Sequence, residues 1–277
     1  MNSYSLLVRI LIMSDMEGVA GIVKWAQVTG GDSAAYQQGR VLYTEEINAA
    51  VRGAKAAGGT EIVVMDCHGA GGDWSFNSLI EEQLDADCEF VVQSSWTEYT
   101  EPLERGCDAA LFIGMHAMAG TASGVMSHTV SSSQWHNLWF NGRPHGETGI
   151  NAALCGQWGC PVLLVTGDSQ TTTEARELLG GGLTTVAVKS GIGRFSARQF
   201  APLKAREMIE AGARTALTNL KAVKPYDPGR PCEITVEFAN SDGPEKYRHR
   251  HAVEVLDGRR IRTTGPDWWT AWRQFYF

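Results

Sequence analysis

Leu6-Leu7-Val8-Arg9-Ile10-Leu11-Ile12-Met13-Ser14-Asp15-Met16-Glu17-Gly18 is the stretch whose reading decides the fold. The apolar run from Leu6 to Met13, broken only by Arg9, predicts a strand buried on both faces, as parallel sheets have. Residues two apart in a strand point the same way, so Asp15 and Glu17 aim two carboxylates at one place. Gly18 and Gly21 then free the backbone to turn sharply out of the sheet. Acids at the carboxyl end of a first parallel strand hold a metal or act as a base in some proteins. In many others they are solvated loop residues, so the pair alone does not decide the matter.

Working outward, helices and strands alternate. Tyr36 to Ala57 reads as a helix capped by Ser33 and stopped by Gly58-Gly59. Strands are expected at Glu61 to Asp66, Glu89 to Gln93 and Ala109 to Gly114, the first running into the glycine-rich Cys67-His68-Gly69-Ala70-Gly71-Gly72. Trp135 to Phe140 with Asn141-Gly142 predicts a hairpin, because Asn-Gly suits a type I′ turn. A helix from about Gly146 to Gln157, a strand from Pro161 to Thr166, a short helix from Glu174 to Leu179 and a strand from Thr184 to Val188 follow. Pro202 to Leu220 is a long amphipathic helix with proline where its missing donor costs nothing.

The proline-rich tract from Lys224 to Pro231 reads as a rigid linker. Beyond it, strands at Cys232 to Ala239 and Ala252 to Leu256 precede a tryptophan-rich helix from Pro266 to Phe277. The fold class is therefore α/β, a mainly parallel sheet flanked by helices with a smaller C-terminal α+β unit. The division expected is 1–222 for the α/β catalytic domain and 223–277 for a strand-helix unit, separate or added to the same domain. The aromatic end is more apolar than a monomer leaves exposed, which predicts packing on the core or across a subunit interface.

Composition narrows the function classes. The chain has 277 residues, 43% hydrophobic and 20% charged, an ordinary globular balance. Its net charge of −7 argues against a nucleic-acid partner, which needs a basic stripe. No apolar run reaches the roughly 18 residues of a membrane span, and the N-terminal segment fits a strand better than a signal peptide. Six scattered cysteines without a Cys-x-x-Cys pair suit reduced thiols in a cytoplasmic protein rather than a disulfide framework or zinc ribbon.

Asp15 and Glu17, His68 and His116 each follow a different expected strand, and parallel strands present their carboxyl ends at one edge. Glu147 joins them at the start of a helix, where the dipole favours a carboxylate. Each has a plain alternative: a histidine after a strand is most often a hydrogen-bonded loop residue, and Glu147 can simply initiate its helix. Together, two histidines and three carboxylates suit one or two zinc-like ions without thiolate ligands. Five ligands exceed what one catalytic zinc uses, which favours two metals sharing Asp15 or a nearby carboxylate.

Ser14-Asp15-Met16-Glu17-Gly18, Asp66-Cys67-His68-Gly69, Gly114-Met115-His116-Ala117, Gly124-Val125-Met126-Ser127-His128 and Gly146-Glu147-Thr148-Gly149 resemble, in order, the motifs of the D-aminopeptidase family of metallopeptidases. The resemblance spans nearly the whole chain, with Thr44-Glu45-Glu46 in the first helix and Glu237-Phe238-Ala239-Asn240 late on. It implies a dinuclear zinc site, two zinc ions per chain, with Asp15 bridging and Glu17, His68, His116 and Glu147 as the other ligands. It also implies a catalytic His128, a short peptide or amino-acid amide substrate of D configuration, and a ring-like homo-oligomer. Cys67 stands where the family usually has a smaller residue, the segment from His116 to His128 differs slightly in length, and the tail after 240 is short and divergent.

On this reading the metals activate a water and polarise the scissile carbonyl, and His128 serves as base, oxyanion donor or acid to the leaving amine. His136 and His145, near the hairpin, are expected on the surface. Two rival classes are a dinuclear metal phosphoesterase, which uses similar ligands, and a non-catalytic metal-binding oligomer. The first lacks a Gly-Asn-His motif and the Arg or Lys that hold a phosphate, and turnover of an aryl phosphate against an amide separates them. The second leaves His128 unexplained, and inactivity on every amide with zinc bound would support it.

Overall fold

The computed structural model describes residues 7–276, so Leu6 of the expected first strand and Phe277 of the expected last helix lie outside the described residues. In chain order they form β1 (Arg9–Ser14), α1 (Ala34–Ala56), β2 (Glu61–Asp66), β3 (Glu89–Val91), α2 (Glu101–Glu104) and β4 (Ala109–Met115). Next come β5 (Trp135–Phe140), β6 (Arg143–Pro144), α3 (Glu147–Gln157), β7 (Val162–Asp168) and α4 (Ser169–Leu179). The remainder is β8 (Thr184–Gly193), β9 (Ser196–Gln199), α5 (Pro202–Ala216), β10 (Cys232–Phe238), α6 (Asp242–Glu245), β11 (Glu254–Val255), β12 (Arg260–Gly265) and α7 (Trp268–Tyr276).

A seven-stranded sheet has the order β3-β2-β1-β4-β7-β8-β9. Its strands are parallel except at the β9 edge. β1 is central, with Ile10 to Met13 at most 1% exposed, which is why its sequence is continuously apolar rather than alternating. α1 and α5 pack together on one face, and α3 and α4 lie on the other. The chain builds outward from β1 in one direction through β2 and β3, then in the other through β4, β7 and β8. The reversal makes the carboxyl edge between β1 and β4 the crevice where such folds hold ligands.

A second, antiparallel sheet has the order β11-β12-β10-β5-β6. Its central strand β10 alternates buried and half-buried residues, with Cys232, Ile234, Val236 and Phe238 inward. β10 pairs with β5 from the middle of the chain, so this sheet crosses the boundary expected near residue 222. α7 packs on β12, β10 and α3 and buries Trp268, Trp272 and Phe275, placing the aromatic end in this chain's own core.

Some element limits differ from expectation. α4 begins at Ser169 rather than Glu174, because Asp168 caps it by accepting from Thr171 N at 2.7 Å; the run Thr171-Thr172-Thr173 hid that start. β8 runs on to Gly193 and folds back as β9. The expected strand from Ala252 to Leu256 shortens to Glu254–Val255. The longer pairing belongs to β12, whose arginines masked its alternation of Ile261, Thr263 and Gly265 inward. No helix among the described residues is long and apolar enough to cross a membrane.

Candidate metal centre

The loop after β1 carries Asp15 and Glu17, and its seat depends on glycine. Asp15 N donates to Ile113 O and Gly18 N to Gly114 O, both at 2.8 Å, so the loop lies directly against the end of β4. A Cβ on Gly18 would stand 1.9 Å from Met115 O, and one on Gly114 would stand 2.0 Å from Asp15 O. These glycines serve a close approach of two backbones; for Gly18 this replaces the expected role of a turn former.

His68 leaves β2 two residues beyond its end. The buried Asp66 anchors it, accepting from His68 N at 3.0 Å, Tyr43 hydroxyl at 2.9 Å and Ser78 N at 2.5 Å. His116 follows β4 directly, and Glu147 is the first residue of α3. β2, β1 and β4 are adjacent, so three separate segments deliver their side chains to one point. The residues Asp15, Glu17, His68, His116 and Glu147 are thus brought together as expected of neighbours.

Asp15 divides the cluster. Its Oδ1 lies 3.0 Å from His68 Nδ1, and its Oδ2 lies 3.3 Å from His116 Nε2. Glu17 Oε2 stands 3.1 Å from the same His68 nitrogen, and Glu147 Oε1 stands 3.2 Å from the same His116 nitrogen. The outer nitrogen of each ring is committed elsewhere: His68 Nε2 donates to Val28 O at 2.8 Å, and His116 Nδ1 donates to Ala117 O at 3.0 Å. With those outer nitrogens engaged, each ring turns its other nitrogen toward two carboxylates, an arrangement that calls for positive charge there, on the ring itself or on a cation between them.

Burial acts against ionisation here but is outweighed. It raises the Asp15 carboxyl, yet the adjoining His116 and His68 rings hold it well below the usual carboxylate range. Burial lowers His116 and His68, yet Glu147, Glu17 and Asp15 lift both well above an ordinary imidazole. Asp15 Oδ2, Glu17 Oε2 and His116 Nε2 are fully enclosed with no hydrogen-bond partner among the described residues. Buried polar atoms without partners are costly, and three converging ones fit a divalent cation. Burial, Asp66 and Asp15 push the Cys67 thiol well above the usual range, and its Sγ turns back to Met65 O at 3.6 Å.

His128 hangs over this cluster. Its ring stacks on His116 at 3.9 Å and 11°, with Trp25 edge-on at 5.4 Å. Nδ1 donates to Met126 O at 2.9 Å, leaving Nε2 toward Glu147 Oε1 at 3.7 Å. Ligand atoms of His116, His128 and Glu147 lie within 4.8 Å of one another, as do those of Asp15, Glu17 and His116. His128 is therefore closer to the ligand shell than a histidine standing apart from it would be. The loop is strained: Met126 and Val130 have φ of 53° and 60°, unusual for side chains of their kind. The strain at Val130 aims its N–H at Glu147 Oε1, 2.8 Å away.

His136 is exposed as expected, whereas His145 is not the surface residue its place near the hairpin suggested. It is 3% exposed, donating from Nδ1 to Arg143 O and accepting at Nε2 from the Tyr226 hydroxyl at 2.6 Å. Reading the sequence also missed Lys189. Buried in the middle of β8, its ammonium donates to Glu17 O, Val19 O and Ile22 O at 2.6–2.7 Å, tying down the loop that carries the two acids. Glu46 of α1 accepts from Ala20 N in the same loop. Nothing local marks Lys189, since its partners are backbone carbonyls about 170 residues away.

Comparison with known proteins agrees with this geometry. Residues 8–277 match the family described as D-aminopeptidase. A D-aminopeptidase of Bacillus subtilis (strain 168) is 34% identical over 253 residues, covering 90% of this chain and 86% of the relative. The solved structure of the Zn-dependent D-aminopeptidase DppA from Bacillus subtilis, a self-compartmentalizing protease, superposes with a TM-score of 0.88 at 31% identity. That match covers 97% of this chain and 96% of the other. A cluster of converging carboxylates and histidines, a shared fold and a match along almost the whole chain lead to one conclusion: this chain belongs to the D-aminopeptidase family.

Proposed function

We propose that the chain is a zinc-dependent aminopeptidase cleaving the N-terminal amide bond of short peptides or amino-acid amides, D-configured, in the cytoplasm. Asp15, Glu17, His68, His116 and Glu147 would hold two zinc ions per chain, His68 and Glu17 beside one, His116 and Glu147 beside the other, with Asp15 shared between them. The observation that carries this reading is the placement of Asp15, one oxygen toward each histidine. When bound, the zinc ions supply Lewis acidity toward the scissile carbonyl and lower the pKa of water toward neutrality.

The chain's own residues do the rest. His128 takes a proton at Nε2 from the attacking water and delivers it to the leaving amine nitrogen, while its Nδ1–H bond to Met126 O fixes the tautomer. Val130 N–H and the start of α3 orient Glu147. Lys189 and Glu46 hold the loop of Asp15 and Glu17. The phosphoesterase reading finds no support in the cavity lining, which includes no Lys or Arg among the described residues. By analogy with its self-compartmentalizing relative, the chain assembles as a ring-like homo-oligomer.

Zinc analysis, sedimentation, and hydrolysis of D- and L-amino-acid amides before and after chelation test the reading on one sample. The expected result is two zinc ions per chain, a species larger than a monomer, and turnover that is lost with the metal and regained on its return. Full activity in strong chelator, or inactivity on every amide with zinc bound, would overturn it.

A further inference from the structure

Asp15, Glu17, His68, His128 and Glu147 form the floor of a solvent-connected cavity. Its walls come from distant parts of the chain and are largely aromatic, with Thr97, Thr100 and Asn151 as uncharged polar members. On one side, Trp268, Trp272 and Tyr276 recur every four residues along one face of α7. Trp272 stacks on Trp268 at 5.2 Å and 21° and on Tyr276 at 4.7 Å and 26°. On another side, Trp96 packs on Phe76 at 5.3 Å. Ile150 and Leu154 of α3 add aliphatic lining.

Beyond the floor, the one charged residue among those lining the cavity is Glu98, and its carboxylate already accepts from Arg273 Nε at 2.6 Å. The walls thus offer rings held in place by their own stacking and leave no unpaired charge for an acidic or basic side chain. A cavity with these walls rewards a flat apolar group through area burial and offset stacking, at little ordering cost to the protein. A methyl group would leave most of it to water.

We propose that this aromatic cavity determines specificity, selecting substrates with a large apolar group, aromatic above all, on the residue beside the scissile amide. The inference rests on the aminopeptidase reading and names the substrate class for that site. Trp96 is its most informative residue, being half-buried on a loop rather than packed inside α7.

The test compares kcat/KM of the zinc-loaded protein on D-alaninamide, D-leucinamide and D-phenylalaninamide. The dipeptides D-Ala-D-Ala, D-Phe-D-Ala and D-Ala-D-Phe follow, to place the group on either side of the bond. Apolar pockets discriminate about 10–200-fold per methylene, so at least one aromatic substrate should exceed its alanine counterpart by about tenfold or more. Trp96→Ala should lower kcat/KM for the aromatic substrate about tenfold more than for the alanine one, and Trp96→Leu should recover part of the loss. Equal or better turnover of the alanine substrates, or an unchanged ratio in a folded Trp96→Ala protein, overturns the inference and leaves the aminopeptidase reading intact.

Calorimetric binding of D-phenylalanine against D-alanine supplies a readout independent of turnover. Binding about tenfold tighter for phenylalanine supports the aromatic cavity even if no amide is cleaved, which would overturn only the aminopeptidase reading. Equal binding counts against the cavity's role directly.

Discussion

Asp15 meets two histidines with two oxygens, and its neighbours each meet one. Removing it should therefore do more than removing Glu17. Asp15→Ala is expected to lose both zinc ions, whereas Glu17→Ala loses mainly the ion beside His68; elemental analysis after dialysis reads the difference, and full retention in both would contradict the assignment. His128 belongs to a different class of effect. Its Nε2 faces Glu147 but makes no close approach to Asp15, so His128→Ala should keep both ions and an unchanged melting temperature. Turnover should fall about a hundredfold to ten-thousandfold, the usual contribution of a positioned proton-transfer group. Loss of zinc together with activity would make His128 a ligand instead.

At the scale of the element, the loop after β1 is held from below by α1 and β8. Glu46 is fully enclosed with Oε2 unpaired among the described residues, and burial lifts its carboxyl to about 7 despite the Ala20 N–H and the charges of Lys189 and Arg206. A raised folded-state pKa means that the folded protein holds the proton more tightly than the unfolded one. The stability this gives is fully present below about 4.5 and is lost as pH rises through 7. Lys189 runs the other way, since burial lowers it to about 8. Glu46→Gln keeps an acceptor for Ala20 N and removes the acidic limb. Relative to the parent protein, it should gain about 1–3 kcal/mol between pH 4.5 and 8, less where lost attraction to Lys189 opposes it. Denaturant melts of both proteins across that range measure the gain; a difference independent of pH would show that Glu46 does not titrate there.

For the whole molecule, α7 is both core and cavity wall. Trp268, Trp272 and Phe275 are each at most 3% exposed, and deleting one such aromatic side chain usually costs about 3–5 kcal/mol. Three together approach or exceed the roughly 5–15 kcal/mol that holds a domain folded. A chain ending at Gly265 should therefore be unfolded or aggregated by circular dichroism and sedimentation. A folded but dissociated product would instead assign α7 to a subunit interface.

The same helix shows where reading the sequence reached its limit. Its aromatic richness predicted burial, but the choice between core and interface depended on where β10 and β12 would stand. The parallel sheet was legible because fully buried strands such as β1 and β2 carry unbroken apolar runs, and the five clustered acids and histidines were legible because each follows a strand end or opens a helix. Local pattern also set the limits of α1 and α3. Other features arise from contacts between distant segments: the pairing of β5 with β10, the Lys189 clamp on the acidic loop, the burial of His145 beneath Tyr226, and the cavity between Trp96 and α7. Periodicity reports only which face of an element avoids water. Which partner covers that face, and which buried carbonyls a lysine finds, is decided when the chain closes on itself, because those hydrogen bonds and contacts form only after the sheet has brought remote residues together.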